Sequence, residues 1–305
     1  MPRVGIRPYC YTLFNDYRLT NFAMPNSNHE KLIALVEKMP AFPKSVQQVV
    51  QLTSDINASA KDIVRVIECD PVMTVKILKA INSSFYGLPQ KITSVQKAVV
   101  HIGMNTIKNI ALGVAAMGML NANNKANFNT ADFLLHSLTT AALSKMLAER
   151  IRLSSTQGSD CFVAGLRHDF GKVVFAEFMP EEFKLALEKS KEQQLPLHQC
   201  ELEFIGISHT QAGKMLAERW ELSELLIDAI ADHHNFESSD NILRDCVFAA
   251  NQISKLMRFG DGGNPLIDDF PAAIVARFGL NLSELSASLG DLTSIKTEAQ
   301  SFINL

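Results

Sequence analysis

From about residue 29 onward, apolar residues recur at spacings of three and four, and no stretch shows the strict alternation of a half-buried strand. This periodicity leaves only helix-on-helix packing to build a core. Breakers and caps cut it into short pieces. A helix over Glu30–Lys38 ends at Pro40, and Lys44–Thr53 follows Pro43. Ser59 with Asp62 reads as a capping box that opens a helix to Glu68. Asp70–Pro71 pairs an N-cap residue with proline at the first helical position. The helix behind it is expected to turn Val72, Val75, Ile77, Leu78 and Ile81 inward. Thr93 with Gln96 is a second capping-box candidate, for a helix over Val95–His101. Gly103 then breaks the chain before an apolar helix, Asn105–Leu120, whose Gly113 and Gly118 suit close packing between two halves.

Residues 121–130, NANNKANFNT, hold five Asn in ten positions. Asn favours turns over helix, so a subdomain boundary is placed there. Helical periodicity resumes over Asp132–Arg150, Asp160 to about Phe178, Pro180–Gln194, Leu197–Phe204, His209–Arg219, Ser223–His234 and Ile242–Arg258. SSTQGS (154–159) and GDGGNP (260–265) read as turns. The chain is therefore expected to be all-α, with two helical subdomains at 29–120 and 131–259 joined by the Asn-rich linker 121–130. Residues 1–28 are expected to be a poorly ordered extension, with Met24 as a candidate native start. Residues 260–305 carry six acids against two bases and read as an acidic, solvated helical cap.

Composition narrows the partners. The 305 residues are 47% hydrophobic and carry a formal net charge of −3, so the chain folds but offers no bulk basic footprint for nucleic acid or an anionic membrane. The helix pair Ser59–Glu68 and Pro71–Ile81 mimics a helix-turn-helix, yet its second helix has only Lys76 and Lys79 as bases. The longest apolar run, Ile110–Leu120, is 11 residues, short of the ~20 a spanning helix needs. Five Cys lie far apart with no CxxC pair, which points to a reducing, cytoplasmic compartment. Asn82, Ser83 and Tyr86 either line a ligand cleft or form a turn held by local hydrogen bonds, and the turn is the preferred reading.

Six of the eight His lie between positions 136 and 234. His136, His168 with Asp169, His209, and His233 with His234 come from four helices, mostly near their ends. Asp132 precedes His136 by one turn, on the same face. Imidazoles with a bridging carboxylate suit Fe, Mn or Zn and can hold two ions. Lys172, just past the His-Asp pair, is placed to steady an anionic transition state. Each His alone reads as a structural or exposed residue; only the joint order raises the metal reading.

The upstream segments MPAFPKSVQQVVQLTSD, IECDPVMTVKILKAINSSFYGL and ITSVQKAVVHIGMNTIKNIAL precede GLRHDFGK, ISHTQAGKMLAERW and AIADHHNF. In that order they resemble the HDOD domain, the HD-related output domain of bacterial signalling proteins in the HD phosphohydrolase superfamily. The resemblance spans about residues 30–240. It implies an HD-like C-terminal subdomain in a regulatory module that acts through protein contacts, with signalling partners in trans. Similarity to the HD-GYP phosphodiesterases implies His136, His168, Asp169, His209, His233 and His234 as metal ligands. Asp132 is then an outlying further ligand, and Lys172 is the Lys of the HDxGK motif, catalytic only in an active enzyme. His198 has no counterpart. The closing acid expected on the next helix is replaced by Asn251, and NFESSDNI stands where a Gly-Tyr-Pro segment would be, so cyclic-di-GMP hydrolysis is not implied. The expectation is a regulatory module with a degenerate pocket for a divalent metal or an anion. The alternative is a metal-dependent phosphohydrolase acting on a phosphoester or nucleotide.

Overall fold

A computed structural model describes residues 44–54, 58–83, 90–117, 124–236, 240–264 and 266–303. The expected extension 1–28, the Met24 start, the helix Glu30–Lys38, Pro40 and Pro43, Tyr86–Gly87, Gly118 and residues 121–123 of the linker fall outside them. Sixteen helices and no strand occur among the described residues. The fold is all-α.

Five helices build the N-terminal half: α1 (Lys44–Ser54), α2 (Ala60–Glu68), α3 (Pro71–Ile81), α4 (Val95–Ile102) and α5 (Met104–Met117). The capping box at α2 forms as read: Ser59 accepts from the Asp62 N–H, and Asp62 accepts from the Ser59 N–H. Asp70 caps α3 by accepting from the Met73 N–H at 3.0 Å, and it also accepts from the Ser45 hydroxyl at 2.7 Å. One carboxylate thus starts α3 and ties it to α1. The inward face of α3 is Met73, Ile77, Ala80 and Ile81. Val72 and Val75 are instead 65% and 55% exposed. The stripe runs from Met73 at helical spacing, which puts both valines on the far arc. At α4 the cap is Ser94, one residue later than Thr93, accepting from the Lys97 N–H. Asn82 spends its amide on the Leu78 and Ile92 carbonyls and on the Ile92 N–H, which ties the end of α3 to Ile92, and Asn82 and Ser83 also line a cavity.

The second half contains α6 (Thr130–Arg150), α7 (Ser155–Arg167), α8 (Gly171–Phe178), α9 (Pro180–Gln193), α10 (Leu197–Phe204), α11 (His209–Arg219), α12 (Glu224–Ala231) and α13 (Ile242–Leu256). Then follow α14 (Ala272–Phe278), α15 (Leu282–Ser288) and α16 (Thr293–Ile303). Helix α6 is the spine, packed by α7, α13 and α16 and buried along most of its length. Helix α5 packs on α1, α3 and α4 and also on α7, so it joins the halves. The stretch 154–159, read as a turn, is the start of α7: Ser154 and Gln157 form a reciprocal capping box. The helix read over 160–178 breaks at His168–Phe170 and resumes at Gly171. A Cβ on Gly171 would lie 2.0 Å from the His209 carbonyl oxygen, so only glycine lets α8 meet the start of α11. The Lys79 ammonium donates to the Ser301 carbonyl, linking α3 to α16. No helix among the described residues is long and apolar enough to cross a membrane. Cys69, Cys161, Cys200 and Cys246 are free thiols.

Candidate metal centre

The break between α7 and α8 carries the centre. His168 ends α7 with its ring held by the Gly165 carbonyl at 2.8 Å from Nδ1. Asp169 follows in the turn and is 2% exposed. Its Oδ2 faces His168 Nε2 at 3.3 Å and His136 Nε2 at 3.8 Å. Its Oδ1 faces His209 Nε2 at 3.2 Å and His233 Nε2 at 3.7 Å. One carboxylate therefore stands between two pairs of imidazoles. His136 comes from α6, His209 from the first turn of α11, and His233 from the turn after α12.

Each ring is oriented from behind. A carbonyl only accepts, so His168 and His233, held by Gly165 and Ile230, carry the proton on Nδ1 and aim Nε2 at Asp169. His136 Nδ1 lies 3.3 Å from the Ser254 hydroxyl, and His209 Nδ1 lies 2.6 Å from Glu201 Oε2. An outward Nδ1–H held by a fixed acceptor is how proteins present Nε2 to a metal. Burial pushes His136 well below the usual imidazole value and His233 down to about 3, so both are neutral near pH 7. Burial also lowers His234, with His233 adding to the effect. For His209, burial is outweighed by Glu201 beside the ring, and its value is raised. Burial pushes the Asp169 carboxyl up, but His168 and Lys172 beside it hold it well below the carboxylate range.

The residues fit a metal on their own evidence. His136 Nε2, His168 Nε2 and Asp169 Oδ1 are buried without a hydrogen-bond partner. Buried lone pairs that face one another are costly unless a cation lies between them. Two ligand groups result, His136 with His168 and Asp169, and His209 with His233 and His234, the donor atoms of each lying within 4.8 Å of one another. Imidazole with one carboxylate suits Fe, Mn or Zn.

Asp132 is not brought to the centre. Its carboxylate accepts from the Asn129 side chain at 2.7 Å, because side chains tilt toward the helix N-terminus and Asp132 leans to its own cap. Lys172 Nζ donates to Asp169 Oδ2 at 2.6 Å and to the Gly262 carbonyl at 2.8 Å. It therefore sits on the shared carboxylate and holds a loop over it. Asn251 is 2% exposed, and its Oδ1 has no hydrogen-bond partner. It lies one turn before Ser254 on α13, the residue that touches His136.

Three participants escaped the sequence reading. Glu201 is fully buried and also accepts from the His209 N–H at 2.7 Å. Its signal was available: Leu197, Cys200, Glu201 and Phe204 follow one helical stripe, so a carboxylate occupies an apolar position. His198, set aside for want of a counterpart, stacks on His234 with ring centroids 4.5 Å apart. Gly262, read as turn material, has backbone on the centre: a Cβ there would lie 2.8 Å from Asp169 Oδ2 and 2.9 Å from His136 Cδ2. The loop is pinned by the Asp261 N–H donating to the Asp132 carbonyl at 3.2 Å.

Comparisons with known proteins agree with this architecture. The profile of the HDOD domain matches residues 39–236. A Treponema pallidum (strain Nichols) protein described as uncharacterized is 23% identical over 250 residues, covering 80% of this chain. The chain spans 46% of that relative's length. Among solved structures, an HDOD domain protein of unknown function from Geobacter sulfurreducens superposes with a TM-score of 0.68 at 24% identity, covering 90% of this chain and 98% of its own. A candidate phosphohydrolase from Shewanella amazonensis SB2B also reaches 0.68, at 19% identity, covering 89% and 97%.

Proposed function

The chain belongs to the HDOD-domain family, and from that premise we propose that it is a cytoplasmic regulatory module acting through protein contacts, whose HD pocket is a closed metal centre. One observation carries this reading: the bridging carboxylate of Asp169 lies beneath the Gly262 backbone, with Lys172 joining the two. A ligand set of this kind binds Fe, Mn or Zn, but the Gly262 backbone and the Lys172 ammonium occupy the side of Asp169 that a substrate phosphate would need. Asn251, a neutral amide where a closing acid is expected, weakens the set further as a hydrolytic centre. The proposed partners are signalling proteins supplied in trans. Val72, Val75 and Val100, on α3 and α4, are 65%, 55% and 79% exposed and offer apolar surface to such a partner.

A second reading, metal-dependent phosphohydrolase, is favoured by the two-sided geometry of Asp169. A bound metal pair would clamp a phosphoryl group and activate water. In that reading His136, His168, Asp169, His209, His233 and His234 hold the metals, and Lys172 meets phosphate only after leaving Asp169. The test is a screen of metal-loaded protein against phosphodiesters and nucleotides under Mn, Fe and Zn. Bound metal without turnover is expected. Turnover that disappears in His168→Ala would establish the hydrolase instead.

A further inference from the structure

A cavity of about 540 Å3 opens against the outer side of the 260–264 loop. Its lining includes His136, Lys255, Arg258, Gly262, Asn264 and Ile267. The volume lies in the range of pockets that take small organic ligands. Two cations face it with donors to spare. The Lys255 side chain is 7% exposed, and its Nζ donates to the Leu266 carbonyl at 2.9 Å. Its nearest carboxylate, Asp268, is 3.9 Å away, beyond hydrogen-bond reach. An ammonium has three donors, so two of them are unspent. The Arg258 guanidinium makes no hydrogen bond or ion pair among the described residues. The acid in the lining, Asp261, is turned into its own loop, where Oδ1 accepts from the Gly263 N–H at 2.7 Å. Leu256 and Ile267, 38% and 47% exposed, form an apolar lip.

Unspent donors on the buried Lys255 and on the exposed Arg258 in the lining, beside an apolar lip, call for an anionic head on a flat apolar body. We propose that this cavity binds a phosphomonoester of mononucleotide size, the phosphate on Lys255 and Arg258 and the base against Leu256 and Ile267. The Arg258 guanidinium supplies a forked set of donors suited to phosphate oxygens. The Gly262 backbone separates this ligand from Asp169, so the ligand is sensed rather than hydrolysed. That last clause rests on the regulatory reading above; the binding itself needs only the two cations and the lip.

The test is isothermal titration calorimetry on the full chain with AMP, GMP, adenosine, ribose 5-phosphate and inorganic phosphate, alongside metal content by elemental mass spectrometry. Saturable micromolar binding of a mononucleotide is expected, weaker by about tenfold or more for inorganic phosphate alone and for adenosine. Arg258→Glu is expected to lose about tenfold or more, Arg258→Lys less, with melting temperature and metal content at the wild-type level. Three results would overturn the proposal: no saturable mononucleotide binding up to millimolar concentration, inorganic phosphate binding as tightly as the nucleotide, or undiminished affinity in Arg258→Glu. Metal content unchanged beside such a result leaves the metal reading standing, and protein without metal that still binds nucleotide removes the metal reading alone.

Discussion

At the residue scale, the proposed metal centre depends on groups outside its set of donors. Glu201 fixes both the ring and the backbone of His209. Glu201→Gln keeps the shape but removes the charge that holds the Nδ1 proton. Removing such supporting partners typically weakens metal affinity about 10–100-fold. A chelator competition titration should show a loss of that size, with circular dichroism unchanged. Gly262 tests the closure from above. In Gly262→Ala the new methyl meets Asp169 Oδ2 at 2.8 Å, so the loop must lift or the carboxylate must turn. A cost of about 1–3 kcal/mol is expected from overpacking, read by urea denaturation. A stability equal to wild type would mean that the loop does not lie on the centre. The residues that gather around Asp169, namely His136, His168, His209 and the His pair, were legible from their joint order together with the family resemblance. His198 and Gly262 were not, because they meet the histidines only once α10 and the 260–264 loop have folded back on them; Glu201 stands out as a carboxylate in an apolar stripe, but only the fold ties it to His209. Asp132 shows the converse: helical spacing placed it on the right face, but its side chain leans to its own N-cap.

At the element scale, the short helices are delimited by side-chain caps, and these were read well where the cap had one chemical solution. Ser59 with Asp62 and Asp70 with Pro71 left no competitor, whereas Thr93 and Ser94 are adjacent cap residues and the structure uses the second. The turn-forming letters of SSTQGS hid the capping box of Ser154 and Gln157, since Ser serves caps and turns alike. Asp70 makes a pH-dependent prediction. The Met73 N–H, and then the Ser45 hydroxyl, hold its carboxyl below the usual value. A lowered carboxyl stabilises the fold above its unfolded value of about 3.9, and this gain is lost as pH falls through the lower folded value. Asp70→Ala should therefore cost about 1 kcal/mol at neutral pH, with the gap to wild type narrowing below about pH 4. Paired denaturation curves at the two pH values check this, and a gap that widens on acidification would refute it.

At the scale of the whole molecule, α5 and α16 join the two halves, and the centre lies where α6, α7, α11, α12 and α13 meet. Helix type and the all-α class followed from periodicity, and the apolar run Asn105–Leu120 marked the helix between the halves, where α5 packs; the second link, through α16, did not follow, because Lys79–Ser301 spans 222 positions. The 260–305 segment, expected as an acidic, solvated helical cap, begins as the loop over His136 and Asp169 and ends as α16 along α6. Because the proposed ligands come from four places in the chain, a bound metal would stabilise the folded state alone. A ligand at 100 times its dissociation constant adds about 2.7 kcal/mol, so metal should raise the melting temperature by several degrees and a chelator should reverse it. The most direct test is metal stoichiometry by elemental mass spectrometry, on protein produced with Mn, Fe and Zn supplied. About two ions per chain are predicted for the wild type, lost together in Asp169→Asn because one carboxylate serves both groups. Wild-type protein that emerges metal-free, or a folded Asp169→Asn that keeps its full complement, would contradict it.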